Sequence, residues 1–458
     1  MPDDPIRDLY RKTNPTVPAH RIRFLIPLLV LFVVPADHLP GHGIRSGWTT
    51  FKEWGIRSLK EVRYGEFTIS STDTGDRLSI SSIRTTLPKR WEPPPETYPP
   101  WDSGGLRPRL RQPVIGLWVW NTQELLSQEP ALKDLLRFVE QEHIGRIFLQ
   151  LPNTARQETN NLRALVRELH SAHAEVFALD GWAGYALKEN HAEAVSILDR
   201  VIRHNRLPNP AECFDGIQFD VEPYLLPGFQ GDRKLSILAQ YVELCAALSS
   251  RARSAGIRFS VAVPFWFDTQ FDESGNEETI DVGGVSKPVY QHVIDRVDEL
   301  CIMSYRTNAL GPGGIVDQVS KELRYAMKAG KAVFASVETT ILPNERTIRF
   351  RDAPFRPAYL DTSMQYWIVL RDSAEGFSCF VVAREHFAAV RGSIPADAYC
   401  WQTDYHIEVP ASRLSFANGD PEKFRDEVRK VIEALKPARE FSGVVIHDYL
   451  GFRKLIGR

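Results

Sequence analysis

From residue 113 onward, apolar runs of strand length alternate with longer stretches whose apolar positions recur at helical spacing. The runs are Val114–Trp120, Arg146–Leu151, Glu175–Leu179, Gly216–Val221, Arg258–Val263, Leu300–Tyr305, Ala332–Val337 and Gly443–His447. Amphipathic stretches lie between them, among them Asn161–His173, Ala192–His204, Lys234–Ala255, Val289–Asp298, Val316–Lys328 and Pro421–Leu435. Short apolar runs alternating with helical patterns predict parallel βαβ units with strands buried on both faces. Eight such runs predict an α/β fold, a (β/α)8 TIM barrel over residues 113–458. An open doubly wound sheet would carry a glycine-rich phosphate loop after its first strand. Here that turn reads Trp120-Asn121-Thr122-Gln123.

The rhythm breaks between Val337 and Gly443, which predicts a β-rich insertion over 341–415, between strands seven and eight. Tyr366–Leu370, Phe377–Val382 and His406–Val409 are its strand-like patterns. Because it follows a barrel strand, it is expected to overhang the C-terminal mouth. Residues 37–112 form a Pro- and Trp-rich N-terminal extension and linker, with a short hairpin expected within Thr68–Ser82. Trp91-Glu92-Pro93-Pro94-Pro95 and Tyr98-Pro99-Pro100-Trp101 predict extended, polyproline-like chain.

Residues 1–36 look like a targeting segment. Arg21 and Arg23 precede the apolar run Phe24–Val34, and Val34-Pro35-Ala36 offers a small-residue cleavage site. The run is shorter than the roughly 20 residues a bilayer-spanning helix needs. A signal peptide and export to the periplasm or beyond are expected, or membrane association through residues 21–36 if the segment is retained as an anchor. Composition adds exclusions. With 458 residues, 43% apolar content and a net charge of −2, the chain lacks the basic excess of a nucleic-acid binder. Its five cysteines show no CxxC spacing, so no structural zinc site is expected. Cys213, Cys245 and Cys301 fall in or beside core elements, while Cys379 and Cys400 could pair in an exported protein.

The densest chemistry lies in Cys213-Phe-Asp-Gly-Ile-Gln-Phe-Asp-Val-Glu-Pro-Tyr224. Alternation along a strand puts Gly216, Gln218, Asp220 and Glu222 on one face and Ile217, Phe219 and Val221 on the other. Two carboxylates two residues apart on one face repel, and their proton affinities are pushed apart. That suits acid/base work. Pro223 cannot donate to a ladder and is expected to end the strand.

A barrel places the C-terminal strand tips around one mouth. These tips supply Trp118 and Trp120, then Gln150, then Asp180 and Trp182, then Gln218, Asp220, Glu222 and Tyr224. Further round come Trp266, Tyr305 and Arg306, Glu338, and finally His447 and Asp448. Aromatic faces stack on sugar C–H faces, and carboxylates and amides bond hydroxyls, so the rim reads as a carbohydrate site. Packing accounts for some of these residues equally well: Trp118 and Trp120 as core, Asp180 as a turn cap, His447 as a satisfied buried histidine.

Asp215-Gly-Ile-Gln-Phe-Asp-Val-Glu222 resembles the fourth-strand signature of glycoside hydrolase family 18, the chitinase-like barrels, which runs Asp-Gly-x-Asp-x-Asp-x-Glu. Met303-Ser304-Tyr305 resembles that family's sixth-strand Met-x-Tyr. The resemblance implies a glycosidase in which Glu222 is the general acid, Asp220 orients a substrate acetamido group and Tyr305 hydrogen-bonds it. The chain departs from the pattern at Gln218, where the middle Asp is usual, and at Arg306, where an Asp usually follows the Tyr. On the eighth strand it has Ile446-His-Asp-Tyr449 in place of a Trp. Glu222-Pro223 together with Glu338 also resembles the acid/base and nucleophile pair of the large retaining-glycosidase clan, although Val221 stands where that clan has Asn.

The expectation is therefore an exported glycoside hydrolase acting on a polysaccharide or glycoconjugate, with no cofactor and no metal. Glu222, Asp220 and Glu338 are its candidate catalytic groups, and Glu338 or Asp448 is the second carboxylate if no acetamido group takes part. A carboxyl separation of roughly 5–5.5 Å would imply retention, and roughly 6.5–9.5 Å inversion. Two alternatives stand beside it. One is a non-catalytic glycan-binding barrel. The other is a different hydrolase on the same fold, metal-dependent through Asp180, Asp220, His447 and Asp448.

Overall fold

A computed structural model describes residues 49–51, 59–72, 75–84, 112–152, 156–206, 209–229, 233–268, 277–351, 354, 356, 366–373, 376–383 and 394–457. The expected targeting segment and the polyproline-like stretches lie outside these residues. The chain opens with β1 (Thr49–Phe51), β2 (Tyr64–Thr72) and β3 (Gly75–Arg84). Then come the first barrel strands: β4 (Val114–Val119), β5 (Ile144–Gln150), β6 (Glu175–Asp180), β7 (Gly216–Phe219) and β8 (Arg258–Pro264). A small hairpin, β9 (Ile280–Val282) and β10 (Val285–Lys287), precedes β11 (Glu299–Met303) and β12 (Ala332–Glu338). The insertion supplies β13 (Asn344–Arg351), β14 (Tyr366–Ser373), β15 (Gly376–Ala383) and β16 (Tyr399–Val409), and β17 (Phe441–His447) completes the barrel.

The strands β4, β5, β6, β7, β8, β11, β12 and β17 pair in parallel in that order, and β17 closes on β4. The expected TIM barrel is thus formed. Helices fill the crossovers: α1 (Thr122–Ser127), α2 (Glu129–Gln141), α3 (Arg156–Ser171), α4 (His191–His204) and α5 (Lys234–Ser254). The later ones are α6 (Val289–Arg296), α7 (Ile315–Ala329), α8 (Pro421–Leu435) and, after β17, α9 (Tyr449–Leu455). Closure at the last seam depends on Gly443, whose φ is +144°. A Cβ there would lie 1.9 Å from the Val114 carbonyl oxygen, so only glycine lets β17 approach β4.

Two apolar layers follow from strand alternation. Ile217, Phe219 and Val221 pack outward with the helices. Trp118, Trp120, Phe148, Phe177, Phe334 and Val445 fill the barrel interior. The N-terminal end is closed by a buried ion cluster. Arg146 donates from Nη1 to Glu299 at 2.8 Å and from Nε to Glu175 at 3.1 Å. Its guanidinium also lies 4.1 Å from the Phe177 ring centroid. Burial opposes the ionisation of Glu175, but Arg146 and Arg258 overcome it and hold its carboxyl down to about 2.

The N-terminal strands and the insertion share one antiparallel sheet, in the order β1-β15-β14-β16-β13-β2-β3. The hairpin expected near Thr68–Ser82 is β2–β3. The three strand-like patterns in the insertion appear as β14, β15 and the end of β16, and β13 was not anticipated. Phe350 stacks 4.7 Å from Trp401 and 5.8 Å from Phe67, which packs the sheet's middle. The sheet is rooted at the barrel mouth. Thr307 N–H and Oγ donate to the carbonyls of Arg413 and Ser412 at 3.1 and 2.8 Å. Phe416 N–H donates to the Glu338 carbonyl at 2.9 Å. Cys245, Cys301 and Cys400 are buried free thiols, and Cys213 is only half-buried. The considered Cys379–Cys400 pairing does not fit this sheet, because β14 lies between the strands that carry them. Two strand spacings, about 9.5 Å, exceed the roughly 7 Å that a disulfide spans between Cα atoms.

Breaking the Arg146 cluster from one side leaves the buried Glu299 without its arginine and Glu175 with Arg258 alone. Arg146→Met is expected to cost about 3 kcal/mol of stability in urea unfolding. The double variant Arg146→Met/Glu299→Leu is expected to recover most of that loss.

Candidate active site

The first acid of the motif sits far from the mouth. Asp215 precedes β7 and accepts from Val176 N–H at 2.7 Å, with His170 Nε2 at 2.9 Å. That is a packing role at the closed end. One pleat into the barrel, Gln218 is fully buried. Its Oε1 accepts from Trp118 Nε1–H at 2.6 Å, and its Nε2 faces Ser260 Oγ at 3.0 Å and Cys301 Sγ at 3.1 Å. Gln218 and Trp118 therefore form part of the barrel filling beneath the mouth, as does Trp120, which is 5% exposed.

The ladder of β7 stops at Phe219, earlier than the expected stop at Pro223, although Asp220 N–H still donates to the Asp180 carbonyl at 2.9 Å. Gly181 makes that approach possible: a Cβ there would meet the Asp220 carbonyl oxygen at 2.4 Å. Glu222 then leads into a 3-10 turn begun by Pro223. Its carboxylate is 7% exposed and accepts a hydrogen bond from the Tyr224 hydroxyl. Tyr224 is backed by the Trp266 ring, 5.1 Å away and edge-on.

Tyr305 shows how the mouth converges. It follows β11 and is buried, and its ring lies 6.1 Å from that of His447. Burial, followed by the charges of Glu338, Asp220 and Glu222, pushes its hydroxyl well above the usual phenol range. The acids that follow β7 and end β12 thus act through their charge on one phenol. Tyr224 is raised in the same way, by burial and by the adjacent Glu222.

Glu338 and His447 form a pair across β12 and β17. His447 Nδ1 lies 2.8 Å from Glu338 Oε2 and 3.0 Å from Oε1, and both side chains are buried. Thr340 N–H donates to Glu338 Oε1 at 2.6 Å. Burial pushes the His447 imidazole down, but Glu338 overrides it and the net shift is upward. Asp448 caps α9 by accepting from Gly451 N–H at 2.8 Å, and burial raises its carboxyl. Asp180 Oδ1 accepts from the Tyr185 hydroxyl at 3.1 Å, and Trp182 packs edge-on to Tyr185 at 5.3 Å. Gln150 ends β5 half-buried. Arg306 lies apart from the acids: it donates to the Tyr305 carbonyl at 2.8 Å and covers the Phe265 ring at 4.6 Å.

No protein-family model matches this chain, and no curated protein matches it. Solved structures similar to it include the C-terminal domain of a putative chitinase from Desulfitobacterium hafniense DCB-2. That likeness has 12% identity and a TM-score of 0.39, covering 75% of this chain and 95% of that one. Another is the Group IV chitinase of Ostrinia furnacalis, with 13% identity, a TM-score of 0.38, and coverage of 76% and 95%. A third is the Bacillus cereus spore cortex-lytic enzyme SleL, with 10% identity, a TM-score of 0.37, and coverage of 76% and 75%. At this level of similarity the barrel assignment rests on its own strand order.

Several partners carried no sequence signal. Ser260 and Cys301 meet Gln218 only through barrel closure, and Thr340 N–H reaches Glu338 through a turn. A second acid pair also escaped notice. Glu322 of α7 is fully buried beside Asp268, at the end of the turn that follows β8. Lys321 bonds the Asp268 carbonyl and pairs with Glu277 at 2.7 Å, and Tyr290 of α6 lies under the Lys321 ammonium. Burial, then the Asp268 charge, raises Glu322 well above the usual carboxyl range. Among the described residues, no group of three or more His, Cys, Asp or Glu is arranged to hold a metal ion.

Two outcomes follow. An acid whose folded affinity for the proton is raised stabilises the fold at low pH, and that contribution is lost as pH rises through the folded value. Thermal melts of the wild type are therefore expected to fall relative to Glu322→Gln as pH rises above the ordinary carboxyl range. In the second test, histidine NMR titration of Glu338→Gln should show the His447 imidazole losing its proton at lower pH than in the wild type. With Glu338 neutral, burial is opposed only by the weaker pull of Asp448 and Asp220.

Proposed function

We propose that this chain is a glycoside hydrolase with Glu222 as its general acid. The observation that carries the reading is the placement of Glu222 and Asp220 just past the tip of β7, facing Tyr305 and Tyr224 at the C-terminal mouth of a closed barrel. The Tyr224 hydroxyl engages Glu222 Oε1, and the Glu222 carboxyl carries the proton toward a glycosidic oxygen. As the C–O bond breaks, that proton passes to the leaving oxygen. A water then attacks the anomeric carbon and returns a proton to Glu222 in the second half of the reaction. Asp220 is read as the partner that holds a substrate acetamido group or tunes the acid, with Tyr305 bonding the same group. Trp182 and Trp266 are read as sugar-facing aromatics.

Glu338 takes a different role in this reading. Both of its oxygens are engaged by His447, and one also by Thr340 N–H. An attacking carboxylate needs a free oxygen aimed at the anomeric carbon, so we read Glu338 as the group that fixes His447 at the edge of the substrate site. The amide at Gln218 has a packing explanation, which removes one argument for a non-catalytic lectin. Export by residues 1–36 belongs to the same proposal.

The test is hydrolysis of a panel of chitin-type, bacterial and plant glycans by the full chain, with products read by mass spectrometry. Cleavage by the wild type that falls at least about a hundredfold in Glu222→Gln supports the assignment. Cleavage that survives the substitution would remove Glu222 from the role. Glycan binding equal in both proteins, with no cleavage, would favour the lectin reading.

A further inference from the structure

The large apolar side chains that stand exposed among the described residues are Leu235, Val285, Leu310, Ile341 and Leu450, at 46 to 62% exposure. Each follows the C-terminal tip of a different barrel strand. Leu235 opens α5 after β7, Val285 lies in the hairpin after β8, Leu310 follows β11, Ile341 follows β12, and Leu450 opens α9 after β17. Those five strands are consecutive neighbours in the barrel. Single exposed apolar residues are ordinary on a protein surface, but their confinement to one arc of one rim is not.

The arc is physically continuous on its β11–β12–β17 side. A Cβ at Gly451 would lie 2.6 Å from the Thr339 carbonyl oxygen, which places the loops of Ile341 and Leu450 against each other. Thr307 bonds Ser412 and Arg413, and Ser415 Oγ donates to the Thr340 carbonyl at 2.5 Å, which ties the loop of Leu310 to that of Ile341. The loops 304–314 and 339–343 themselves contain no Asp or Glu, and the acids that reach the first of them, Asp317 and Glu427, are bonded to the Gly313 and Ala309 N–H groups at 2.6 and 2.5 Å. Exposed Arg413 stands beside these loops, and exposed Lys454 lies one turn beyond Leu450. Across the arc, Arg233 flanks Leu235, and the exposed acid of the hairpin, Asp281, accepts from Gly284 N–H.

We propose that this arc docks on a lipid bilayer, so that the mouth opens toward the membrane surface. Apolar side chains interspersed with cations on one rim match an interface of acyl chains and anionic headgroups. The sequence supplies a second lipid-seeking element in Phe24–Val34, flanked by Arg21 and Arg23. That run leads into β1, which belongs to the sheet rooted at the same mouth. That the site would then work on glycans presented at a membrane rests on the glycosidase reading; the docking itself does not.

The experiment is co-sedimentation of the full chain with phosphatidylcholine vesicles, with and without phosphatidylglycerol. It compares the wild type with the rim variant Leu310→Ser/Ile341→Ser/Leu450→Ser and with the run variant Leu29→Asp/Phe32→Asp. These rim positions are exposed, and an unchanged circular-dichroism melt verifies folding. The expected result is binding that strengthens with phosphatidylglycerol and weakens at least tenfold in the rim variant, with measurable binding left in the run variant. A rim variant that binds like the wild type, or a wild type that does not bind, overturns the proposal. So does a rim variant that turns a dimer into a monomer without altering lipid binding, since the occupant would then be a second copy of this chain. No glycan enters the assay, so its outcome is separate from that of the hydrolysis test.

Discussion

The amide of Gln218 joins four barrel strands at one buried point. It accepts from Trp118 on β4 and contacts Ser260 on β8 and Cys301 on β11. Its acceptor end takes the indole N–H and its donor end serves the hydroxyl and the thiol. An ionised carboxylate in its place would require Ser260 and Cys301 to turn and donate to it. It would also put a charge among Phe148, Phe177 and Phe334, where desolvation is costly. The neutral amide therefore lets the barrel be filled up to this level. It also fixes β7 so that the first charged side chain above it is Asp220.

Charge is handled differently at the two ends of the same barrel. At the closed end, Arg146 and Arg258 neutralise Glu175 and Glu299 at direct bonding distance. At the mouth, Asp220, Glu222 and Glu338 face phenols and one imidazole. A guanidinium holds its proton at any working pH, whereas an imidazole can exchange one near neutrality. Arg306, which follows β11, points away to Phe265. The closed end is thus built for permanence, and the mouth keeps groups whose protonation can change.

The barrel was legible because its strands are continuous apolar runs at regular intervals, and a crossover helix is the physical means of joining parallel neighbours. The insertion was legible only as an interruption. Strand β13, with Arg346, Thr347, Ile348, Arg349 and Phe350, alternates like a half-exposed strand and is overshadowed by its charged positions. Its pairing with β2 joins segments far apart in sequence, which no local pattern encodes. At the site, alternation alone separated Gln218 and Asp220 from Ile217 and Phe219. It could not tell that Gln218 lies below the mouth and Asp220 at it, since that depends on where the ladder of β7 ends. The same limit applies to Glu338, whose position at a strand tip was readable but whose bond to His447 needs the β12–β17 register.

That register has a consequence for how the proposed chemistry is divided. Glu338 and His447 are direct partners on adjacent strands, so their side chains meet on the same face. A carboxylate shared with an imidazolium and a backbone N–H is a weaker nucleophile than a free one, because attack would first require those bonds to break. Glu222 accepts from the Tyr224 phenol, whose own proton is held tightly by burial and by the nearby acid charges. Tyr224 can therefore stay a donor while Glu222 gains and loses its proton. On these grounds the reacting carboxyls of the proposed mechanism come from β7. In that proposal the β12–β17 pair holds His447 beside Tyr305, at the edge of the site.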